Sequence, residues 1–186
     1  TQTNNQDSVI AFNCGVCADK IKKPADALKY FDIAVQKKYN LANAYIGKAG
    51  ALKDLKKNDE YVATLKEGLE AVPGNKTLTK LYATYYVNQG ILAQRAKKNS
   101  AAEEAFKQAV SIQPDNVNAL NSLGSLYYNQ GATLLKTDAD KAKEEFKQAK
   151  EYLDKLIPLL SADKPAQKKM KDNANTMLNF INSQLQ

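Results

Sequence analysis

The sequence predicts an all-α chain of about nine helices: four helix–turn–helix repeats and a closing helix. Three observations carry this. Ala, Leu, Lys and Gln abound, while only eight glycines and five prolines punctuate 186 residues. Segments recur in a fixed order. Glu104–Ala105–Phe106–Lys107–Gln108–Ala109 is echoed by Glu144–Glu145–Phe146–Lys147–Gln148–Ala149, and Tyr85–Tyr86–Val87–Asn88–Gln89–Gly90 by Tyr127–Tyr128–Asn129–Gln130–Gly131. The turn Val72–Pro73–Gly74–Asn75 is echoed by Gln113–Pro114–Asp115–Asn116. Finally, a small residue marks each first helix, at Gly15, Ala49, Ala83 and Gly124. Such a hairpin cannot bury both faces alone, so repeats of this kind stack on their neighbours.

Along the chain, residues 1–7 have no initiator Met and no basic-then-apolar leader, and are expected to be a disordered or trimmed start. The four repeats are expected over about 8–41, 42–75, 76–116 and 117–160, with a capping helix over 163–184. Second helices carry Ala27-x-x-x-Phe31-x-x-Ala34, Tyr61-x-x-x-Leu65-x-x-Gly68, Ala102-x-x-x-Phe106-x-x-Ala109 and Ala142-x-x-x-Phe146-x-x-Ala149. Pro24 opens a helix, while Asn58–Asp59–Glu60, Ser100 and Asp115 or Asn116 offer caps. From the small residue to the second helix's Ala-type position is 12 residues in repeats one and two, 19 in repeat three and 18 in repeat four. About seven extra residues are close to two helical turns. They predict two long hairpins with tips near Ala96–Ser100 and Thr137–Asp140, projecting past the edge of the stack. In the last segment, Ala166, Met170, Ala174, Met177, Leu178 and Ile181 form one apolar stripe, as an end cap needs.

These motifs resemble the tetratricopeptide repeat (TPR) family, whose pattern is W-x2-L-G-x2-Y, then A-x3-F, then P. Leu120-x-x-Leu123–Gly124-x-x-Tyr127 followed by Ala142-x-x-x-Phe146 is the best match. No Trp occurs, Lys48 stands where Leu is usual, and Tyr61 stands where Ala is usual. The resemblance implies a right-handed superhelical α-solenoid over about 8–160. It also implies a concave groove, lined by first helices, that holds a peptide or a helix. Matching positions are Phe12, Val16, Lys20, Asn43, Ile46, Gly50, Lys53, Thr77, Lys80, Thr84, Asn88, Asn118, Asn121, Ser125, Tyr128 and Asn129. Side-chain amides both donate and accept, so a row of them can satisfy an extended backbone. With 17 asparagines in the chain, the cluster carries this reading rather than any one of them. The family's Lys/Asn carboxylate clamp is not matched, because Phe12 and Val16 occupy its repeat-one positions and Thr84 follows Lys80. In style the chain is similar to TPR proteins of the Bacteroidetes cell envelope, which sets an expectation of a bacterial envelope location.

Composition narrows the chemistry. There is no histidine, hence no His general base and no His metal ligand. The lone Cys14-x-x-Cys17 has no second ligand pair for zinc, so no metal or cofactor is expected. Its flanks read as continuous helix, and both thiols are expected as small core fillers. The net charge of +7 comes from 26 Lys and the single Arg95 against 20 acids. Lysines interleaved with acids make a solvated helical coat, and one guanidinium cannot supply base readout. Nucleic-acid contact through Lys97, Lys98, Lys168, Lys169 and Lys171 is therefore the weakest reading. The sequence points to a non-catalytic interaction scaffold or adaptor. The alternative is a structural assembly module self-associating through its long hairpins or last helix. No apolar run is long enough to cross a membrane.

Overall fold

A computed structural model describes residues 2–186, with side chains described from Gln6. The described residues form nine α-helices, one 3-10 turn and no strand: α1 (Gln2–Lys20), α2 (Pro24–Gln36), α3 (Leu41–Asp54), α4 (Asn58–Ala71), α5 (Lys76–Arg95), α6 (Asn99–Ile112), α7 (Val117–Leu134), α8 (Ala139–Leu156), the 3-10 turn Ile157–Leu159, and α9 (Pro165–Leu185). The chain divides into two compact units, Thr1–Tyr82 and Ala83–Gln186, and the division falls inside α5. Helix α1 reaches back to Gln2, so the expected disordered start is helical from that residue. Neither proline nor glycine interrupts residues 2–14, which leaves nothing to stop the helix there. Thr1 lies outside the described residues.

In the first unit, Ala18, Ala27, Phe31 and Ala51 form a buried cluster on which Phe12, Val16 and Leu28 pack. The two departures from the family pattern each find a place. The Lys48 ammonium lies 2.7 Å from Asp32 on α2, and Tyr61 is buried. In the second unit a single core runs from Val87 through Phe106, Leu120, Leu123, Phe146 and Leu153 to Ala174, Leu178 and Ile181.

One layer recurs between paired helices. A Cβ placed on Gly15 would lie 2.9 Å from the Phe31 ring, and one on Gly131 would lie 2.7 Å from the Phe146 ring. Gly90 is pressed just as closely by Phe106. The facing glycine thus precedes its phenylalanine by 15 or 16 residues in all three hairpins. This corrects the expected alignment of Ala83 and Gly124 with Gly15 within the long hairpins. Gly124 instead faces Leu153, in a second layer two turns from the first. Gly90 stands as far from the end of α5 as Gly15 does from the end of α1. The added turns of α5 therefore lie on the side of this layer away from the tip.

The tips fall where expected, over 96–98 and 135–138, but their chemistry differs. Lys22, Lys56 and Lys97 adopt left-handed φ of 57–59°. In each case the following Lys N–H bonds back to the carbonyl of Ala18, Leu52 or Ala93, closing a Schellman motif with Lys where Gly is usual. Asn58 and Ser100 lie inside their helices, and the N-cap positions are Lys57 and Lys98, without a side-chain cap bond. Asn116 caps α7 through Ala119 N–H as expected. Asp138 caps α8 through Lys141 N–H, and the Asn75 side chain accepts from Thr77 and Leu78 N–H. Cys17 is exposed and Cys14 half-buried, so the thiol pair is not a core filler. Gly15 and Ala18 set the buried face of α1, and the two thiols fall on a stripe turned away from it.

The glycine layer makes a paired prediction. Gly90→Ala must displace the Phe106 ring and should destabilise by about 1–3 kcal/mol. Gly50, whose Cβ would meet nothing within 4 Å, should gain about 0.5–1 kcal/mol on Gly50→Ala. Urea denaturation of both variants checks the opposite signs.

Candidate functional site

The groove positions expected in the first unit divide by burial. Phe12 is an element of packing, its ring edge-on to Phe31 at 5.9 Å and to Tyr39 at 5.8 Å, and Val16 rests on the same core. Asn43 is exposed but gives its amide to the Asn40 side chain at 3.0 Å. Ile46 is half-buried, while Lys20, Gly50, Lys53, Thr77 and Lys80 are exposed.

In the second unit the geometry is more concentrated. Helix α7 is two-faced: Leu120, Leu123, Gly124, Tyr127 and Gly131 are buried, while Asn118, Asn121, Ser125, Tyr128 and Asn129 run along the other side. All seven expected positions of this unit line clefts. Thr84 and Asn88 of α5 face Asn118 and Asn121 across a cleft of about 280 Å³, completed by Asn116 and Ser122. Asn121 also opens on a second cleft of about 360 Å³, with Ser125, Tyr128 and Asn129 on one wall and Asn173, Thr176 and Met177 of α9 on the other. Tyr128 is a structural wall here, packed on Phe146 at 6.1 Å and Phe180 at 5.7 Å.

Asn129 is shared with a third and larger cleft that the sequence reading did not anticipate. It measures about 530 Å³ and is lined by Gln94, Asn99, Leu126, Gln130, Thr133, Leu134 and Glu145. Two side-chain acceptors that line it, Gln130 Oε1 and Glu145 Oε2, are buried without a hydrogen-bond partner. The available signal was the repeated Asn-Gln-Gly tripeptide. The glycine presses on the phenylalanine, and the residues just before it are carried to the cleft. The α9 wall could not be read from sequence, because it depends on how the last helix docks.

A polar clamp fixes α6 to α7 beside this cleft. The Tyr127 hydroxyl donates to Glu103 Oε1 at 2.7 Å, and Lys107 Nζ reaches the same oxygen at 2.7 Å. Burial pushes the Tyr127 phenol up to about 12, with Glu103 adding to the rise. Burial would raise Glu103 as well, but the bonds from Lys107 and Tyr127 outweigh it and hold its carboxyl below the usual value. Glu145 has no such donors, so burial, and then the charge of Glu103, raise its carboxyl. Among the described residues no group of three or more His, Cys, Asp or Glu could hold a metal, and no helix is long and apolar enough to cross a membrane. The clefts hold amides and hydroxyls, which suit hydrogen bonding to a backbone.

A TPR-repeat family model matches residues 96–131, which run from the α5–α6 turn to Gly131. The chain is similar to a solved TPR-repeat protein from Bacteroides fragilis, at 47% identity over 95% of this chain and 85% of that one, with a TM-score of 0.74. Weaker likenesses include MamA from Desulfovibrio magneticus (15% identity, 96% and 94% coverage, TM-score 0.45). Another is YrrB, described as a TPR protein with an unusual peptide-binding site (17% identity, 98% and 89% coverage, TM-score 0.43). No curated protein matches the chain.

Glu145 makes a pH prediction. A carboxyl whose folded pKa is raised stabilises the fold only below its unfolded value, and that stability is lost as pH rises through the folded value. At pH 7 the unpartnered carboxylate is a net cost. Glu145→Gln should therefore stabilise by about 1 kcal/mol at pH 7, and the gain should vanish at about pH 4 and below. Thermal melts of both proteins across pH decide this, and a gain that persists in acid would contradict it.

Proposed function

Because the chain belongs to the tetratricopeptide repeat family, we propose that it is a non-catalytic interaction module that holds an extended peptide segment along α7. The observation that carries the reading is the pair of clefts on one side of that helix, joined through Asn121, with a third cleft around the helix reached through Asn129. Asn88, Asn118, Asn121 and Asn129 offer both donors and acceptors at intervals along one line. A peptide backbone presents the complementary groups at every residue whatever its side chains are. The unpartnered acceptors of Gln130 and Glu145 at the end of that line favour a ligand bringing donors to them. In the first unit, Phe12 and Val16 serve the core, so the reading rests on the second unit.

Self-association through the last helix has less in its favour. Ala174, Leu178 and Ile181 of α9 are buried against its own chain, and Phe180, the large apolar side chain that this helix exposes, is packed on Tyr128 and Phe146.

The test starts from a peptide selected from a random library on the purified chain, its affinity then measured by calorimetry. Asn88→Ala with Asn121→Ala and Asn129→Ala should weaken binding by about tenfold or more, a loss of about 1.4 kcal/mol. Backbone N-methylation of the peptide should cost at least as much, while scrambling its sequence should cost less. Unchanged affinity in the triple variant would contradict the proposal.

A further inference from the structure

Helix α1 carries apolar residues on a second face. Ile10 and Ile21 are 54% and 64% exposed, and between them lie exposed Cys17 and half-buried Cys14. At 100° per residue these four positions fall within one narrow stripe. Ile21 still follows the helical path, since its N–H bonds to the Cys17 carbonyl at 3.1 Å.

The equivalent stripe is covered in the second repeat. Counting from Gly15 and Ala49, the matching positions are Ala44, Lys48 and Ala51 on α3 and Leu55 just after it. Ala44 and Ala51 are buried, and Lys48 reaches Asp32 on the preceding helix. The helix that meets α3 from the preceding repeat is α2. On α1 the same stripe is open, so what fits it is another helix.

The order of the stripe names the helix. Ile10, Cys14, Cys17 and Ile21 read the same in both directions, with spacings of four, three and four residues. Laid antiparallel on a second copy of itself across a two-fold axis, the stripe pairs each isoleucine with an isoleucine and Cys14 with Cys17. A parallel pairing would set exposed Asp7 of one copy beside Asp7 of the other, a like-charge contact that the antiparallel arrangement avoids. We propose that two copies of this chain associate through α1 as an antiparallel, two-fold symmetric helix pair. Three turns of helix bury less than the roughly 1,200 Å² of a standard interface, so the dimer is weak and concentration-dependent. This contact is separate from the peptide-binding reading and stands or falls without it.

Sedimentation equilibrium of the full chain, from micromolar to near-millimolar concentration with the thiols kept reduced, tests the proposal. The wild-type chain should show a monomer–dimer equilibrium. Ile10→Glu alone and Ile21→Lys alone should each weaken it by about tenfold or more. Both residues are more than half exposed, so the helix content of the variants, read by circular dichroism, should be unchanged. A chain carrying both substitutions sets opposite charges across the seam twice and should recover the dimer. A wild-type chain that stays monomeric throughout overturns the proposal. So does a dimer that ignores the single substitutions, or a double variant no better than the singles.

Discussion

The close approach of paired helices at a glycine facing a phenylalanine is the constraint on which much of this structure depends. Phe31, Phe106 and Phe146 are at most 3% exposed, and each fills the space that a Cβ on Gly15, Gly90 or Gly131 would occupy. A phenylalanine so enclosed typically costs about 3–5 kcal/mol to truncate. The layer also sets register, because the ring fits only opposite the residue without a side chain. Each of these three hairpins is thereby fixed at one place along its length.

That register decides what the opposite side of α7 can present. With Gly124 against Leu153 and Gly131 against Phe146, the buried side of the helix is set over two layers. Asn118, Asn121, Ser125 and Asn129 are turned the other way. A seven-residue extension keeps the same face inward, because it lies close to a whole number of turns. Length gained in this way adds cleft-lining positions without disturbing the core. Helix α9 then closes one wall, with Phe180 edge-on to both Tyr128 and Phe146 at 5.7 and 5.8 Å.

The helical hairpins were legible because Ala-x-x-x-Phe-x-x-Ala places three core residues on one face, and every such residue is buried. The layer within the long hairpins was not. Ala83 keeps the 34-residue distance from Ala49, Gly124 stands 41 residues after Ala83 just as Gly131 does after Gly90, and only the contact with the ring distinguishes Gly90 and Gly131 as the partners. Caps were misread at Asn58 and Ser100 because the turns close through backbone bonds around a left-handed Lys, a conformation that residue type does not advertise. Cys17 was misplaced because three-residue spacing puts two thiols on one face without saying whether a neighbour covers it. The side-chain amides along α7 were legible from the repeat positions. The cleft around Gln130 and Glu145 needs α5, α6, α7 and α8 together, and no single stretch of sequence contains it.

The most direct measurement is a double-mutant cycle on the Gly131–Phe146 layer. If the glycine exists to admit the ring, shrinking the ring must relieve the added methyl. Gly131→Ala combined with Phe146→Leu should then be less destabilised than the sum of the two single variants, by about 1 kcal/mol or more of coupling. Strictly additive losses would mean that the two residues act independently, and would contradict the register that the account assigns to this layer.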